Sequence, residues 1–198
     1  WGLIPLIPTK EEVKNSGKTP AGKGFLKNPV KSPEVAQSWW GKKHYNIGIV
    51  TGKMSGIIVL DIDKPDIFES FLTKHPECRN TYIVRRNNAP EWRCHYYFRL
   101  ETFNPGARNI NSTGWGDILS DGKYVVAPPS LHYSGGVYEI VNDVPPLPFK
   151  EEYIVDLLLA PKTEKKEVCK EKSLEITGVA EGRRNSTLFL QIKQMRDD

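Results

Sequence analysis

The stretch GIIVLDIDKPD, Gly56 to Asp66, decides how the rest of the chain is read. Ile57 to Leu60 is apolar on both faces, the composition of a strand covered from two sides. It finishes with Asp61 and Asp63. Folding alone gives no reason to place two like charges together at the end of a buried strand. Strand residues two apart share a face, with Cα atoms roughly 6.5–7 Å apart. Asp61 and Asp63 therefore project together, while Ile58, Leu60 and Ile62 project the other way. Either the strand has reached solvent or the two carboxylates hold something positive. Hard divalent cations such as Mg²⁺ prefer oxygen ligands, and a catalytic metal site needs a third acid from another strand.

GWGDILSDGKYVV supplies that acid. Asp117 precedes an apolar pair and is expected on a strand. Asp121 lies in Ser-Asp-Gly-Lys, which is turn chemistry, and is read as structural. In RCHYYFRL, Arg93, His95 and Tyr97 alternate with Cys94, Tyr96 and Phe98. The second set is apolar enough to be the core face. Arg93 and His95 are then expected on an outer, polar face, where they would meet phosphate oxygens. The plainer alternative is a histidine packed among aromatics. In VVAPPSLHYSGGVYEI a strand halts at Pro128-Pro129, and Ser130, His132 and Ser134 follow in a turn-rich loop. Such a loop suits phosphate or ribose, or is an ordinary hairpin connection.

Around these motifs the chain alternates short elements irregularly. GLIPLIP reads as a short strand, KNSGKTPAGKGF as a loop, and Pro33 to Trp40 as a helix announced by Ser-Pro-Glu. NIGIVTG and GIIVLDID read as strands joined by a tight turn. KPDIFESFLTKHP places Ile67, Phe68, Phe71 and Leu72 at helical spacing. TYIVRR, RCHYYFRL, the two halves of GDILSDGKYVVAPPS and GGVYEIV complete seven or eight strands. That is an α+β pattern. After Leu159 apolar residues thin out, so the reading is a folded domain over 1–159, a charged linker over 160–172 and a helical tail over 173–198 that begins a second module.

Composition narrows the function classes. The 198 residues are 38% hydrophobic and 26% charged, as in globular domains. No run approaches the roughly 18–20 apolar residues of a membrane span, and the first residues lack the basic region of a signal peptide. Cys78, Cys94 and Cys169 are scattered, which matches neither a disulfide framework nor a zinc pattern and suits a reducing cytoplasm. His75 and Cys78 have ligand-like spacing but no second pair. The net charge of +4 is unevenly spread: residues 1–43 hold eight lysines and three glutamates, +5, and the rest sums to −1. Such a segment favours polyanions, or is simply a lysine-coated surface.

The order NIGIVTGKMSGIIVLDID, HYYF, GDILSDGKYVVAPPSLHYSGGVY resembles the bifunctional primase/polymerase (prim-pol) domain of the archaeo-eukaryotic primase superfamily, found in replication proteins of plasmids, phages and other mobile elements. The similarity spans about residues 1–150, and EGRRNSTL resembles the opening of the helical domain that often follows. The family's first motif falls on Asp61 and Asp63, its second on His95, its third on Asp117. The lysine of its K-x-P phrase falls on Lys18. At the second motif Arg93 replaces the usual small residue and NNAPEWRC a glycine-rich approach. The zinc-binding stem of some relatives has no counterpart, so no zinc is expected.

The resemblance implies a primase-like fold with mixed or antiparallel sheets, flanking helices and an RRM-like palm. It implies a DNA primase/DNA polymerase, with Asp61, Asp63 and Asp117 holding two Mg²⁺ or Mn²⁺ ions. His95 would contact the triphosphate, and Arg93, Lys18, Ser130 and His132 would contribute nucleotide contacts. Implied partners are single-stranded or primed DNA template, dNTP or NTP, and a fused or associated helicase and helical accessory domain. Two alternatives stay open. One is a non-catalytic DNA-binding module using the lysines with Trp39, Trp40, Trp92 and Trp115. The other is a metal-dependent nuclease using the same aspartates.

Overall fold

The computed structural model describes residues 1–10, 13–101 and 116–159. The expected linker and helical tail lie outside the described residues, as does Trp115. The element order is β1 (Leu3–Leu6), α1 (Pro33–Trp40), β2 (Asn46–Val50), β3 (Ile57–Ile62), α2 (Pro65–Lys74), a 3-10 turn (Pro76–Asn80), β4 (Tyr82–Arg86) and β5 (Cys94–Arg99). Then come β6 (Gly116–Leu119), β7 (Tyr124–Ala127), β8 (Tyr138–Asn142), β9 (Leu147–Pro148) and α3 (Glu151–Leu159). No described helix is long and apolar enough to cross a membrane.

The strands form two sheets. A small antiparallel one runs β1-β2-β7, and a larger one runs β6-β3-β5-β4-β8, with β9 parallel to β5. The fold is thus α+β with largely antiparallel sheets, consistent with a primase-like fold. The sequence reading of β2 and β3 as neighbours across a tight turn holds for the turn. The strands themselves enter different sheets, with an isolated β-bridge at Gly52–Ile57 where the chain passes from one to the other. β6 and β7 separate in the same way. These two corners are tied to each other. Thr51 donates its hydroxyl to the Ser120 carbonyl (2.6 Å) and its N–H to the Lys123 carbonyl (3.0 Å). The Lys53 N–H donates to Asp121 Oδ1 (2.7 Å), which fits the structural reading of Asp121. Gly52, at φ +75°, is needed here, since a Cβ would stand 2.1 Å from that Asp121 oxygen.

Both faces of the large sheet are covered. On one face Ile58, Leu60 and Ile62 of β3, Tyr96 and Phe98 of β5 and Ile118 of β6 pack against Ile67, Phe68, Phe71 and Leu72 of α2 and Tyr153 and Leu157 of α3. The helix α2 forms because Pro65 and Asp66 suit its first turn and Lys74 its last, and its apolar stripe has a face to meet. α3 and β9 are additions to the elements expected from periodicity. On the opposite face Ile57, Val59, Val84 and Tyr97 pack against Ile4, Leu6, Ile49, Val125 and Ala127 of the small sheet. This corrects one expectation: the face of β5 that carries His95 and Tyr97 is not an outer, polar one. Tyr97 is fully buried there, because the small sheet lies over it.

Candidate active site

Register aligns the chemistry. In the pairing of β3 with β6, Asp61 stands opposite Asp117; in that of β3 with β5, Asp61 stands opposite His95. Directly opposed residues of antiparallel strands point to the same face. Asp117, Asp61 and His95 therefore form a row across three adjacent strands, on the face turned toward the small sheet. Asp63 lies just past the end of β3 and continues the line. Gly116 makes the row close. At φ +151° it pairs with Ile62, and a Cβ there would sit 1.8 Å from the Asp61 carbonyl oxygen.

The row floors a cleft of about 480 Å³. Its walls come from the N-terminal loop (Lys14, Asn15, Lys18), from Arg85 and Arg86 at the end of β4, from Arg93, and from His132 to Ser134 with Tyr138. Of the residues picked out by sequence, Asp61, Asp63, Asp117, His95, Arg93, Lys18 and His132 all line this cleft. Ser130 does not. It is buried, and its hydroxyl accepts from the Ile47 N–H (2.8 Å) and lies 3.3 Å from the Ile47 carbonyl, which ties the loop to β2.

The electrostatics are those of an acidic floor under cationic walls. Burial raises the Asp117 carboxyl above its usual range, and the charges of Asp61 and Asp63 raise it further. Burial and then Asp61 also raise Asp63, against the pull of Arg93. Asp117 Oδ1 is buried without a hydrogen-bond partner. Asp63 is drawn to Arg93 (2.8 Å), and His95 Nε2 stands 3.7 Å from Asp61 Oδ1. Burial lowers the His95 pKa, partly offset by Asp61. The ring stacks on Tyr138 at 5.6 Å, and its Nδ1 is buried without a partner. Burial lowers the Lys18 ammonium as well, with Asp61 opposing that shift and Arg86 and Arg93 adding to it.

Sequence reasoning missed Arg86. Its Nη1 donates to His132 Nδ1 (3.0 Å), Ser134 Oγ (2.7 Å) and Asn88 Oδ1 (3.3 Å). Arginine only donates, so His132 Nδ1 accepts and the ring is neutral there. Burial, then the Arg86 charge, pushes its pKa down to about 4. His132 therefore orients an arginine more than it contributes charge. Strand parity could have found Arg86: Val84 lies opposite His95, and Arg86 is two residues on, on the same face.

All-oxygen donors from Asp61, Asp63 and Asp117, one of them orphaned and two with raised pKa, fit a hard divalent cation. The described residues whose ligand atoms gather within 4.8 Å of one another are a different group, His75, Glu77 and Glu152, on the helix side. Lys150 reaches both of those glutamates (3.3 and 3.0 Å), and His75 Nε2 pairs with Asp156 (2.8 Å). Cys78, beside them in sequence, is fully buried, and burial pushes its thiol up to about 12. The three cleft aspartates do not gather their ligand atoms this closely.

A search of curated proteins finds no match. Among protein families, residues 1–151 match the one described as bifunctional DNA primase/polymerase, N-terminal. The match takes in the whole row of Asp61, His95 and Asp117, the loops that wall the cleft and both sheets. The chain belongs to the Prim-Pol family of DNA primase/polymerase domains.

Proposed function

We propose that the cleft carries out template-directed nucleotidyl transfer, adding nucleotides to a 3′-hydroxyl in a DNA replication protein. What supports this reading above all is the Asp117–Asp61–His95 row, with Asp63 at its end and cations above it. Asp61, Asp63 and Asp117 would hold Mg²⁺ or Mn²⁺. Held by these residues, such ions would supply neutralisation of the carboxylates, a lowered pKa of the attacking hydroxyl and charge stabilisation of the pyrophosphate leaving group. The chain's own groups then do the positioning. His95, held against Tyr138 on the floor, faces the triphosphate. Lys18, Arg86 and Arg93 offer charge-assisted hydrogen bonds to its oxygens, and the Arg93–Asp63 pair opens as both groups find new partners. His132 and Ser134 keep Arg86 aimed, and the low-dielectric floor strengthens these contacts. Catalysis of this kind needs orientation and charge stabilisation, not a covalent intermediate on the protein.

Incubation with primed template, dNTPs and Mn²⁺ tests the reading. Extension is expected; simple retention of DNA would favour a binding module, and degradation a nuclease. Primer extension by Asp61→Ala or Asp63→Ala at the wild-type rate would sink the assignment. We further propose that the catalytic domain spans 1–159 and that residues 160–198 lead into a helical accessory module.

A further inference from the structure

Away from the cleft, aromatic and cationic side chains collect at the C-terminal end of α1. Trp39 packs edge-on against Phe25 (5.3 Å) and Tyr45 (5.6 Å). Lys43 Nζ stands 5.8 Å from the Tyr45 ring centroid, within cation–π range. Ser38, Trp39, Lys42, Lys43 and Tyr45 line a hollow of about 350 Å³. Both lysines are exposed and both rings are half-buried. Among the described residues neither lysine has a carboxylate partner. Core packing accounts for the cluster only in part: Phe25 packs against the small-sheet core, but α1 buries no residue completely. This is also the end of the +5 segment, so the local charge attracts an anion while the rings offer flat apolar surface.

Hydrogen bonds tie the segment that follows the hollow to the walls of the cleft. Tyr45 precedes Asn46, whose Nδ2 donates to the carbonyls of Gly17 (3.0 Å) and Leu131 (2.8 Å). Each of those residues is the chain neighbour of a cleft residue, Lys18 and His132. The segment that carries Tyr45 is thus fastened to both loops that wall the cleft.

We propose that this platform binds single-stranded DNA, with bases stacking on Trp39 and Tyr45 and phosphates meeting Lys42 and Lys43, and that it guides the strand beside the cleft. Stacking on part-exposed rings beside lysines is how single strands are held without sequence preference. Duplex bases are already stacked on one another and gain nothing from the rings. The guiding role rests on the polymerase reading of the cleft; strand binding by the platform does not.

The test is fluorescence anisotropy of a labelled oligothymidylate with the whole chain. Trp39→Ala and Tyr45→Ala are each expected to weaken binding about five- to a hundredfold, the cost of one lost stack. Trp39→Phe keeps a ring and should retain most of the affinity. The double substitution Lys42→Glu, Lys43→Glu is expected to flatten the dependence of log K on log salt by about 1.4, two single-strand phosphate contacts. These lysines are exposed, so this variant carries the test if loss of Trp39 unfolds the chain. Wild-type affinity and salt slope in the folded variants would overturn the platform. Primer extension separates the two readings. If the wild type extends, Asp61→Ala does not, and the platform variants bind DNA like wild type, only the platform fails. If the wild type never extends yet binding falls in the platform variants, only the reading of the cleft fails.

Discussion

One face of β3 holds two regions that differ in a single respect. Ile57 and Val59 lie under the small sheet and are fully enclosed. Asp61 and Asp63, the next two residues of the same parity, lie beyond that cover and floor the cleft. The other face, Ile58, Leu60 and Ile62, is closed along its whole length by α2 and α3. A strand this apolar would be buried end to end if the small sheet were wider. The site exists because three short strands cover only part of what the large sheet presents, and polar chemistry occupies the remainder.

The contrast predicts that the open end loses activity when altered and the closed face loses stability. The largest effect should come from Asp61→Ala: primer extension falls at least about a thousandfold, roughly 4 kcal/mol of transition-state stabilisation. Its melting temperature without metal should hold or rise, because like-charge repulsion is relieved. A marked drop in melting temperature would mean Asp61 is part of the framework. On the closed face, Leu72→Ala should cost about 2–5 kcal/mol in chemical denaturation while extension per folded molecule stays near wild type. A large loss of turnover there would break the division between the two faces.

Arg86→Ala should raise the nucleotide KM roughly tenfold with a smaller change in kcat, about 1.4 kcal/mol of lost charge-assisted binding. An unchanged KM in steady-state kinetics would confine Arg86 to holding the loop. The smallest effect is a pH slope. The His132 pKa lies near 4 when folded against an ordinary 6.5, so between those values the unfolded chain binds the extra proton. Stability must then fall as pH drops from about 6.5 to 4. The raised carboxyls of Asp63 and Asp117 act oppositely, since their native state is the one that holds protons as pH falls. Replacing His132 by Asn should flatten the acid loss in melts across that window; an unaltered slope would mean His132 does not titrate differently on folding.

Much of this was legible residue by residue. Local periodicity located α1 at its observed bounds and α2 by its apolar stripe, and alternation sorted β3 and β5 into their two faces. The pairing of Asp61 with Asp63 pointed to a third acid from another strand, and Asp117 stands opposite Asp61 on β6. Other features followed from partners far away in the chain. Arg86 became a cleft residue through β4 pairing beside β5 and through a loop some 46 residues later. Ser130, read as a ligand contact, is held by the backbone of Ile47. α3 contributes Tyr153 and Leu157 to a core whose other residues lie mostly in the strands and α2.

The sequence by itself determined which residues share a face, because strand parity and helical spacing are set by bonds along the chain. It also determined that carboxylates, a histidine and lysines would be available together. Only the tertiary structure decided which face is interior. That depends on where β1, β2 and β7 meet and how far their small sheet reaches. The face of His95 and Tyr97, outer by alternation alone, is buried at Tyr97 and open beside Asp61 for that reason. Coverage is a property of two sheets packed together, and no stretch of one strand encodes it.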